Sequence, residues 1–226
     1  MLWTWWLASA VVVLDPGHGG SEAGAERHGL KEKDICLQVA RVAARTLRAR
    51  GHQVFLTRTA DRAVSLDRRI QLAHARDADA FVSIHVNASA ARSRRGTETY
   101  VASVLTDPEA ESLVAREEEG APSARAPSET GAQAIVADLR RQAAHRASAR
   151  LAAAVQSAVS RVRGMGPSRG LRQAPFWVLR TARVPAVLLE AGYLSHRKQA
   201  VWLGTAKGAA AVGKAVADGL ERFLSH

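Results

Sequence analysis

Cysteine is almost missing from this chain, since Cys36 is the only one among 226 residues. A single thiol excludes an internal disulfide, so the fold must hold without covalent cross-links. Cys36 lies among apolar residues of a predicted helix, and no second cysteine accompanies it. We therefore expect a thiol of the core, and neither a nucleophile nor a metal ligand.

Long apolar runs are also missing, because none approaches the roughly 20 residues that a membrane-spanning helix needs. The segment 1–10, MLWTWWLASA, is similar to the end of a secretory signal but lacks the basic residues with which signal peptides begin. It is either a signal-like remnant or a segment left from cloning. The length of the remainder favours one domain over two, and we expect residues 11–226 to form a monomeric domain.

Acidic residues are few compared with basic ones. There are 32 Lys and Arg against 21 Asp and Glu, which gives a formal net charge of +11. Such a charge attracts polyanions in general, including nucleic acid, acidic membranes and cell-wall polymers. Aromatic residues make up only 5% of the chain, and we find no recognition motif for nucleic acid. We therefore predict a solvated basic surface and no nucleic-acid partner.

Apolar strands and amphipathic helices alternate along the chain. The run Val11–Leu14 is β-branched and ends at a turn, which is typical of a strand buried on both faces. A helix over 32–50 and a strand over 53–57 follow it. Further helices are predicted over 65–76, 135–162 and 206–224, and further strands over 80–84, 97–103, 176–180 and 186–190. The fold class is therefore α/β, with a mostly parallel twisted central sheet and helices on both faces.

Two details of this pattern can be checked directly. In the long helix over 135–162 the spacing places Ile135 and Leu139 on the buried side, together with Leu151, Val155 and Val159.

The region of about 106–130 has a different composition, rich in Pro, Ser, Ala and Glu. We expect an exposed insertion there, within which 108–119 could form a short helix.

Three polar residues follow the ends of separate predicted strands. They are His18, His85 and Glu190, and ligands of open α/β sheets bind at that edge. Glu32 begins the first helix, and the loop before it can fold the carboxylate back to the same edge. Two imidazoles and a carboxylate would suit an open zinc site, with Glu190 as the base. Alternatively, the histidines have a structural role, and the charge of Glu32 only interacts favourably with the dipole of the helix that it begins.

Three local motifs favour the metal site. The segments 14–20 (LDPGHGG), 83–88 (SIHVNA) and 188–195 (LLEAGYLS) together resemble the zinc-dependent N-acetylmuramoyl-L-alanine amidases of bacterial cell walls. The resemblance runs from Val11 almost to the C-terminus. It implies that His18, Glu32 and His85 hold one zinc ion and that Glu190 is the catalytic carboxylate.

The resemblance also implies a setting for these residues. The substrate would be peptidoglycan, cut at the amide bond between N-acetylmuramic acid and L-alanine, in the periplasm or the extracellular cell wall. Asn87 would support the site from outside the ligand set. Arg58 and Arg69 fall at similar positions, where either a structural ion pair or substrate contact explains them. The other histidines match no ligand position: His28, His52, His74, His145, His196 and His226.

The insertion suggests a switch. Amidases of the cell-division type carry at this place a helix that covers the active site, in which a glutamate reaches the zinc until an activator protein removes it. The segment Glu111–Glu117 resembles that helix, which implies that Glu117 fills the open zinc position. A solvated acidic loop is the alternative.

Two other functions remain open at this stage. A zinc peptidase or deacetylase would keep the metal site and change the bond that is cut. A non-catalytic wall-binding module would usually have lost a ligand or the glutamate base, and neither is lost here. Analysis of the products separates the two enzymes from the amidase.

Overall fold

The computed structural model describes residues 9–103, 108–118 and 132–225. These residues form eight strands and seven helices. In chain order they are β1 (Val11–Pro16), β2 (Glu26–Arg27), β3 (Leu30–Lys31), α1 (Glu32–Ala49), β4 (Gln53–Leu56), α2 (Leu66–Ala75), β5 (Ala80–Asn87), β6 (Thr97–Ala102), α3 (Pro108–Glu117), α4 (Ala132–Val159), β7 (Ser168–Ala174), α5 (Trp177–Arg180), β8 (Ala186–Tyr193), α6 (Arg197–Leu203) and α7 (Ala206–Leu224).

Six of the strands form one sheet in the order β4-β1-β5-β8-β6-β7. All neighbouring pairs are parallel except β6 and β8, which are antiparallel. The predicted mostly parallel sheet is therefore confirmed. Because β1, β5 and β8 run in the same direction, their carboxyl ends meet at one edge. The two short strands β2 and β3 pair with each other in the loop that precedes α1.

Both faces of the sheet are covered, because successive strand residues point to opposite sides. One face packs against α1, α4 and α7, and its core includes Val12, Leu14, Leu47, Leu151 and Val216. The other face packs against α2, α3 and α5, and its core includes Val13, Ile70, Phe81, Leu113 and Leu179. Cys36 is buried in the first core, as expected. None of the described helices is both long and apolar enough to cross a bilayer.

The prediction of a strand over 176–180 is wrong. Trp177–Arg180 is the short helix α5, and the strand in this region is β7, which ends at Ala174. Pro175 separates the two elements, and a proline has no amide hydrogen with which to continue the ladder of β7. The amides of Leu179 and Arg180 bond back to the carbonyl of Phe176 instead. A short apolar run reads alike in a strand and in a buried helix, so periodicity could not separate them.

The long helix begins earlier than predicted, and two of its apolar residues lie outside the core. Ile135 is 65% exposed and Leu139 is 59% exposed, whereas Leu151, Val155 and Val159 are fully buried. The prediction that Ile135 and Leu139 are buried is therefore wrong. The 28 residues of α4 span about 42 Å at 1.5 Å per residue, which exceeds the length of the strands they would cover.

Candidate active site

The predicted polar residues meet at the carboxyl edge of the sheet. His18 follows β1 by two residues, whereas His85 and Glu190 lie within β5 and β8, which are longer than predicted. His85 and Glu190 are direct neighbours in the parallel register of these strands. Glu32 is the first residue of α1 and is carried to the same edge by the loop that contains β2 and β3.

Four side chains form a group that we call the His/Glu cluster: His18, Glu32, His85 and Glu117. One ligand atom from each lies within 4.8 Å of all the others. Oε1 of Glu32 is 3.1 Å from Nε2 of His18 and 3.1 Å from Nδ1 of His85. Oε2 of Glu117 is 2.9 Å and 3.0 Å from the same two nitrogens. The structure therefore brings together all three predicted ligands and the residue of the inserted helix.

The spacing of these atoms fits a tetrahedral metal ion. Zinc binds nitrogen and oxygen at about 2.0–2.1 Å, which places neighbouring ligand atoms about 3.3 Å apart. The four contacts of 2.9–3.1 Å are close to that spacing. The side chains are also buried, with exposures of 8% or less. The donor set and its geometry together define a candidate metal site.

Glu32 is held in place by the backbone on both sides. Its Oε1 accepts a hydrogen bond of 2.9 Å from the amide of Val86, and its Oε2 accepts one of 2.9 Å from the amide of Ala25. Burial alone would raise the pKa of Glu32, but the charges and hydrogen bonds of His18 and His85 hold it far below its usual range. The carboxylate is therefore ionised and pre-oriented, as a metal ligand must be.

The two imidazoles respond to the carboxylates in the opposite sense. Burial lowers the pKa of His18, but Glu32 and Glu117 outweigh it and raise the value to about 10. The pKa of His85 is raised by the same two carboxylates, also against burial. The carboxylates thus favour the protonated form of both imidazoles in the absence of metal. A bound cation would displace those protons.

Small residues leave space for the cluster. A Cβ on Gly17 would lie 2.5 Å from the ring of His85. A Cβ on Gly24 would lie 2.5 Å from the ring of His18 and 2.6 Å from Oε2 of Glu32, and the φ of Gly24 is +66°. Glycine tolerates both the close approach and the left-handed backbone. These two glycines therefore set how closely the loops approach the cluster.

Glu190 differs from the cluster in having no partner. It is fully buried, and neither carboxyl oxygen has a hydrogen bond among the described residues. Burial raises its pKa well above the usual range, and the charges of Glu117 and Glu32 raise it further. A buried polar group without a hydrogen bond is costly, and such groups are concentrated at functional sites.

The helix α3 lies over the cluster. Ala110 and Leu113 bury its apolar side, and Glu117 enters the cluster with a side chain only 3% exposed. The carboxylate of Glu118 accepts a hydrogen bond from the amide of Trp177. The cavity left beside His18, His85 and Glu117 has a volume of about 20 Å³, which holds about one water molecule. With α3 in this position, the described residues leave little space beside the cluster.

The structure places Asn87 against α3. Its Oδ1 accepts a hydrogen bond of 2.9 Å from Nη2 of Arg116, the residue before Glu117. The support that we predicted from Asn87 would therefore act through the helix that carries Glu117. The bond between Asn87 and Arg116 could not be assigned from sequence, because it depends on how α3 packs against the sheet.

Arg58 and Arg69 hold the loop that carries His18. Arg69 is buried, pairs with Asp15 at 2.8 Å and donates to the carbonyl of His18 at 2.9 Å. Arg58 is fully buried and donates to the carbonyls of Pro16 and Gly17. These contacts favour the structural alternative for both arginines. Asp15, which the sequence reasoning passed over, also accepts bonds from Thr57 and Ser83.

A buried cluster of imidazoles and carboxylates beside an unpartnered carboxyl, at the carboxyl edge of an α/β sheet, is typical of metal-dependent hydrolases. The comparison with known families gives the particular family. The model for N-acetylmuramoyl-L-alanine amidase matches residues 12–222, and the chain belongs to this family.

Named relatives agree with this assignment. N-acetylmuramoyl-L-alanine amidase AmiC of Neisseria meningitidis serogroup B is 32% identical over 220 residues, which cover 95% of this chain and 53% of that protein. AmiA of Escherichia coli is 32% identical over 225 residues, covering 95% of this chain and 76% of that protein. The chain thus spans about half of the first relative and about three-quarters of the second.

A solved structure supports the fold as well. The N-acetylmuramoyl-L-alanine amidase AmiC2 of Nostoc punctiforme is 29% identical, with a TM-score of 0.74. The match covers 96% of this chain and 98% of that chain. The sheet and its flanking helices are therefore those of an amidase domain.

Proposed function

We propose that this chain is a zinc-dependent hydrolase that cleaves the amide bond between N-acetylmuramic acid and L-alanine in peptidoglycan. Residues 11–226 would be the catalytic domain, acting as a monomer outside the cytoplasmic membrane, where the polymer lies. The observation that carries the proposal is the convergence of His18, Glu32 and His85 beside the unpartnered carboxyl of Glu190. The names of the relatives support the choice of this amide bond.

His18, Glu32 and His85 would hold one zinc ion. A zinc ion bound there would lower the pKa of a water molecule towards about 7 and would polarise the amide carbonyl. The three residues come from separate elements, and the backbone fixes Glu32 from two sides. Their contribution is to hold the reacting groups in place without reorganisation.

Glu190 would carry the proton. An amide nitrogen must be protonated as it departs, so a group is needed that accepts a proton from the attacking water and later delivers it. Burial raises the pKa of Glu190 above its usual range, and a raised pKa favours delivery of the proton to the departing nitrogen. Neither oxygen has a hydrogen-bond partner among the described residues, so both would be free to bond with water or substrate once the site is open.

The insertion at about 106–130 would make the chain autoinhibited. Glu117 occupies the ligand position of the cluster that water and substrate would need, and α3 covers the cleft. An activator protein that draws α3 away would then expose the site. Of this insertion, 108–118 are described, and the part after Glu118 lies outside the described residues.

Product analysis tests the proposal most broadly. Purified peptidoglycan is incubated with the chain, with and without a chelator followed by added zinc. We expect new free amino termini of L-alanine, no new reducing sugar ends, loss of activity with the chelator and its return with zinc. Release of amino acids from within the peptide stem would instead show a peptidase and would contradict the proposal.

A further inference from the structure

Arg94 forms a bidentate ion pair with α3. It lies in the loop between β5 and β6, and its Nη1 and Nη2 are each 2.7 Å from one carboxylate oxygen of Glu109, near the start of α3. Two parallel contacts of this kind are the geometry by which arginine recognises carboxylates. Both side chains are partly exposed, at 26% and 41%, so the pair can separate without disturbing the core.

Two more arginines lie beside this pair. Nε of Arg169 is 2.8 Å from Oε1 of the buried Glu98, and Nε of Arg172 is 3.5 Å from its Oε2. Nη2 of Arg172 is also 3.9 Å from Oε2 of Glu109. Three guanidinium groups thus lie around Glu98 and Glu109. Without Glu109, Arg94 would lose this carboxylate partner and would still lie beside two further guanidinium groups, a setting that attracts another carboxylate.

The distance from this arginine group to the His/Glu cluster is set by α3. Glu109 contacts Arg94 and Glu117 contacts the cluster, and the two are eight residues apart on one helix. At 1.5 Å per residue they are about 12 Å apart along the helix axis. An extended peptide covers about 3.3–3.6 Å per residue, so the same distance corresponds to roughly three or four residues.

We propose that Arg94, flanked by Arg169 and Arg172, binds a free carboxylate of the peptide stem about three or four residues from the amide bond that is cut. While α3 covers the site, Glu109 occupies the position of that carboxylate on Arg94. Glu117 of the same helix occupies a ligand position of the His/Glu cluster in a similar way. This inference rests on the proposed function. It adds a specificity-determining contact, through which the enzyme distinguishes acidic stems from amidated ones.

The test compares two substrates that differ only in charge. Soluble glycan fragments with free stem carboxylates are matched with fragments whose distal stem carboxylates are amidated. The variants are R94Q, R94K, E109Q and R92Q, the last a control because Arg92 is an exposed arginine of the same loop. We measure kcat and KM for each, and the binding of the free stem peptide by calorimetry.

We expect R94Q to raise KM for the free-carboxylate substrate about tenfold, as loss of a partly exposed charge-assisted hydrogen bond does. Its KM for the amidated substrate should change much less, so the ratio of the two KM values should move towards one. Loss of the ion pair with α3 acts on both substrates alike and leaves this ratio unchanged. R94K should recover part of the loss, R92Q should change nothing, and E109Q should lower KM for the acidic substrate because the competing carboxylate is gone.

Two results would overturn the inference while leaving the proposed function intact. One is that R94Q has the same KM values as R92Q. The other is that R94Q raises KM for both substrates equally. If neither the wild type nor E109Q, in which α3 has lost its ion pair with Arg94, cleaves either substrate, the proposed function fails, and calorimetry decides alone. In that case the contact is supported if the stem peptide binds to the wild type and to E109Q and binds more weakly to R94Q. It is refuted if all three proteins bind the peptide equally or if none binds it.

Discussion

Glu98 and Glu190 face each other on adjacent antiparallel strands, and both are fully buried, yet their surroundings are opposite. Glu98 accepts hydrogen bonds from the hydroxyls of Tyr100 and Tyr193 and from Arg169. Glu190 has no such partner among the described residues. A carboxylate so fully bonded stabilises the fold, whereas one kept without partners costs stability and is available to react. The pair thus contrasts a carboxylate with several hydrogen bonds and one without a hydrogen bond among the described residues, at the same depth.

The largest effect is expected at Glu190. The change Glu190→Gln keeps the size of the side chain but removes the proton carrier, so hydrolysis should fall by about 10²–10⁴-fold. The midpoint of thermal unfolding should stay the same or rise, because an amide is easier to bury than an unpaired carboxyl. Peptidoglycan digestion and calorimetry measure the two quantities. Retention of hydrolysis would remove Glu190 from the mechanism.

Glu98 should show the reverse pattern. The change Glu98→Ala leaves Arg169 and two tyrosine hydroxyls without their acceptor, and breaking a buried pair of this kind costs about 4 kcal/mol. We expect the free energy of unfolding, measured in urea, to fall by about this amount. Hydrolysis per folded molecule should fall far less than in Glu190→Gln. A fully stable Glu98→Ala would contradict the structural role of Glu98.

Asp15 is a second structural carboxylate and gives a pH signature. Burial opposes its ionisation, but Arg69, Thr57 and Ser83 hold its pKa below the ordinary 3.8. Since the folded value is the lower one, its stabilisation is complete above pH 4 or so and is lost as the pH falls through the folded pKa. The change Asp15→Asn should cost about 3 kcal/mol at pH 7 and flatten the loss of stability below pH 4. The free energy of unfolding is measured in urea at several pH values. If it falls below pH 4 in Asp15→Asn as steeply as in the wild type, this role of Asp15 is contradicted.

The smallest effect is expected at the contact between Asn87 and α3. The change Asn87→Ala removes one hydrogen bond to Arg116, worth about 1 kcal/mol, and should raise basal hydrolysis about fivefold if α3 inhibits. The matched control is Glu111→Gln, at an exposed position of the same helix without a hydrogen bond or ion pair to the described residues, which should have no effect. Equal activity in the two variants would argue against inhibition by α3.

The sequence predicted the sheet and the residues at its edge for a physical reason. His18, His85 and Glu190 accompany continuous apolar runs, and such runs in a parallel sheet bring their carboxyl ends together. Glu32 needed the resemblance as well, because its approach depends on how the preceding loop folds back. Glu117 was reached only through the resemblance.

Other features could not be predicted because they depend on contacts between distant residues. The partners of Glu98 come from β6, β7 and β8, and nothing in the local pattern links them. Ile135 is exposed because it lies on a part of α4 that is not covered by the core. Helical periodicity gives the apolar side of a helix but not how far along the helix the core reaches. The ion pair of Arg94 with Glu109 likewise joins two polar segments whose spacing carries no signal.

The central claim is that His18, Glu32 and His85 hold one divalent metal while Glu190 acts beside it. The amount of bound metal per chain, determined by elemental analysis in the wild type, His18→Ala, His85→Ala and Glu190→Gln, tests it most directly. We expect about one zinc ion in the wild type and in Glu190→Gln, and a large loss in both histidine variants. Full zinc content in His18→Ala and His85→Ala would contradict the account.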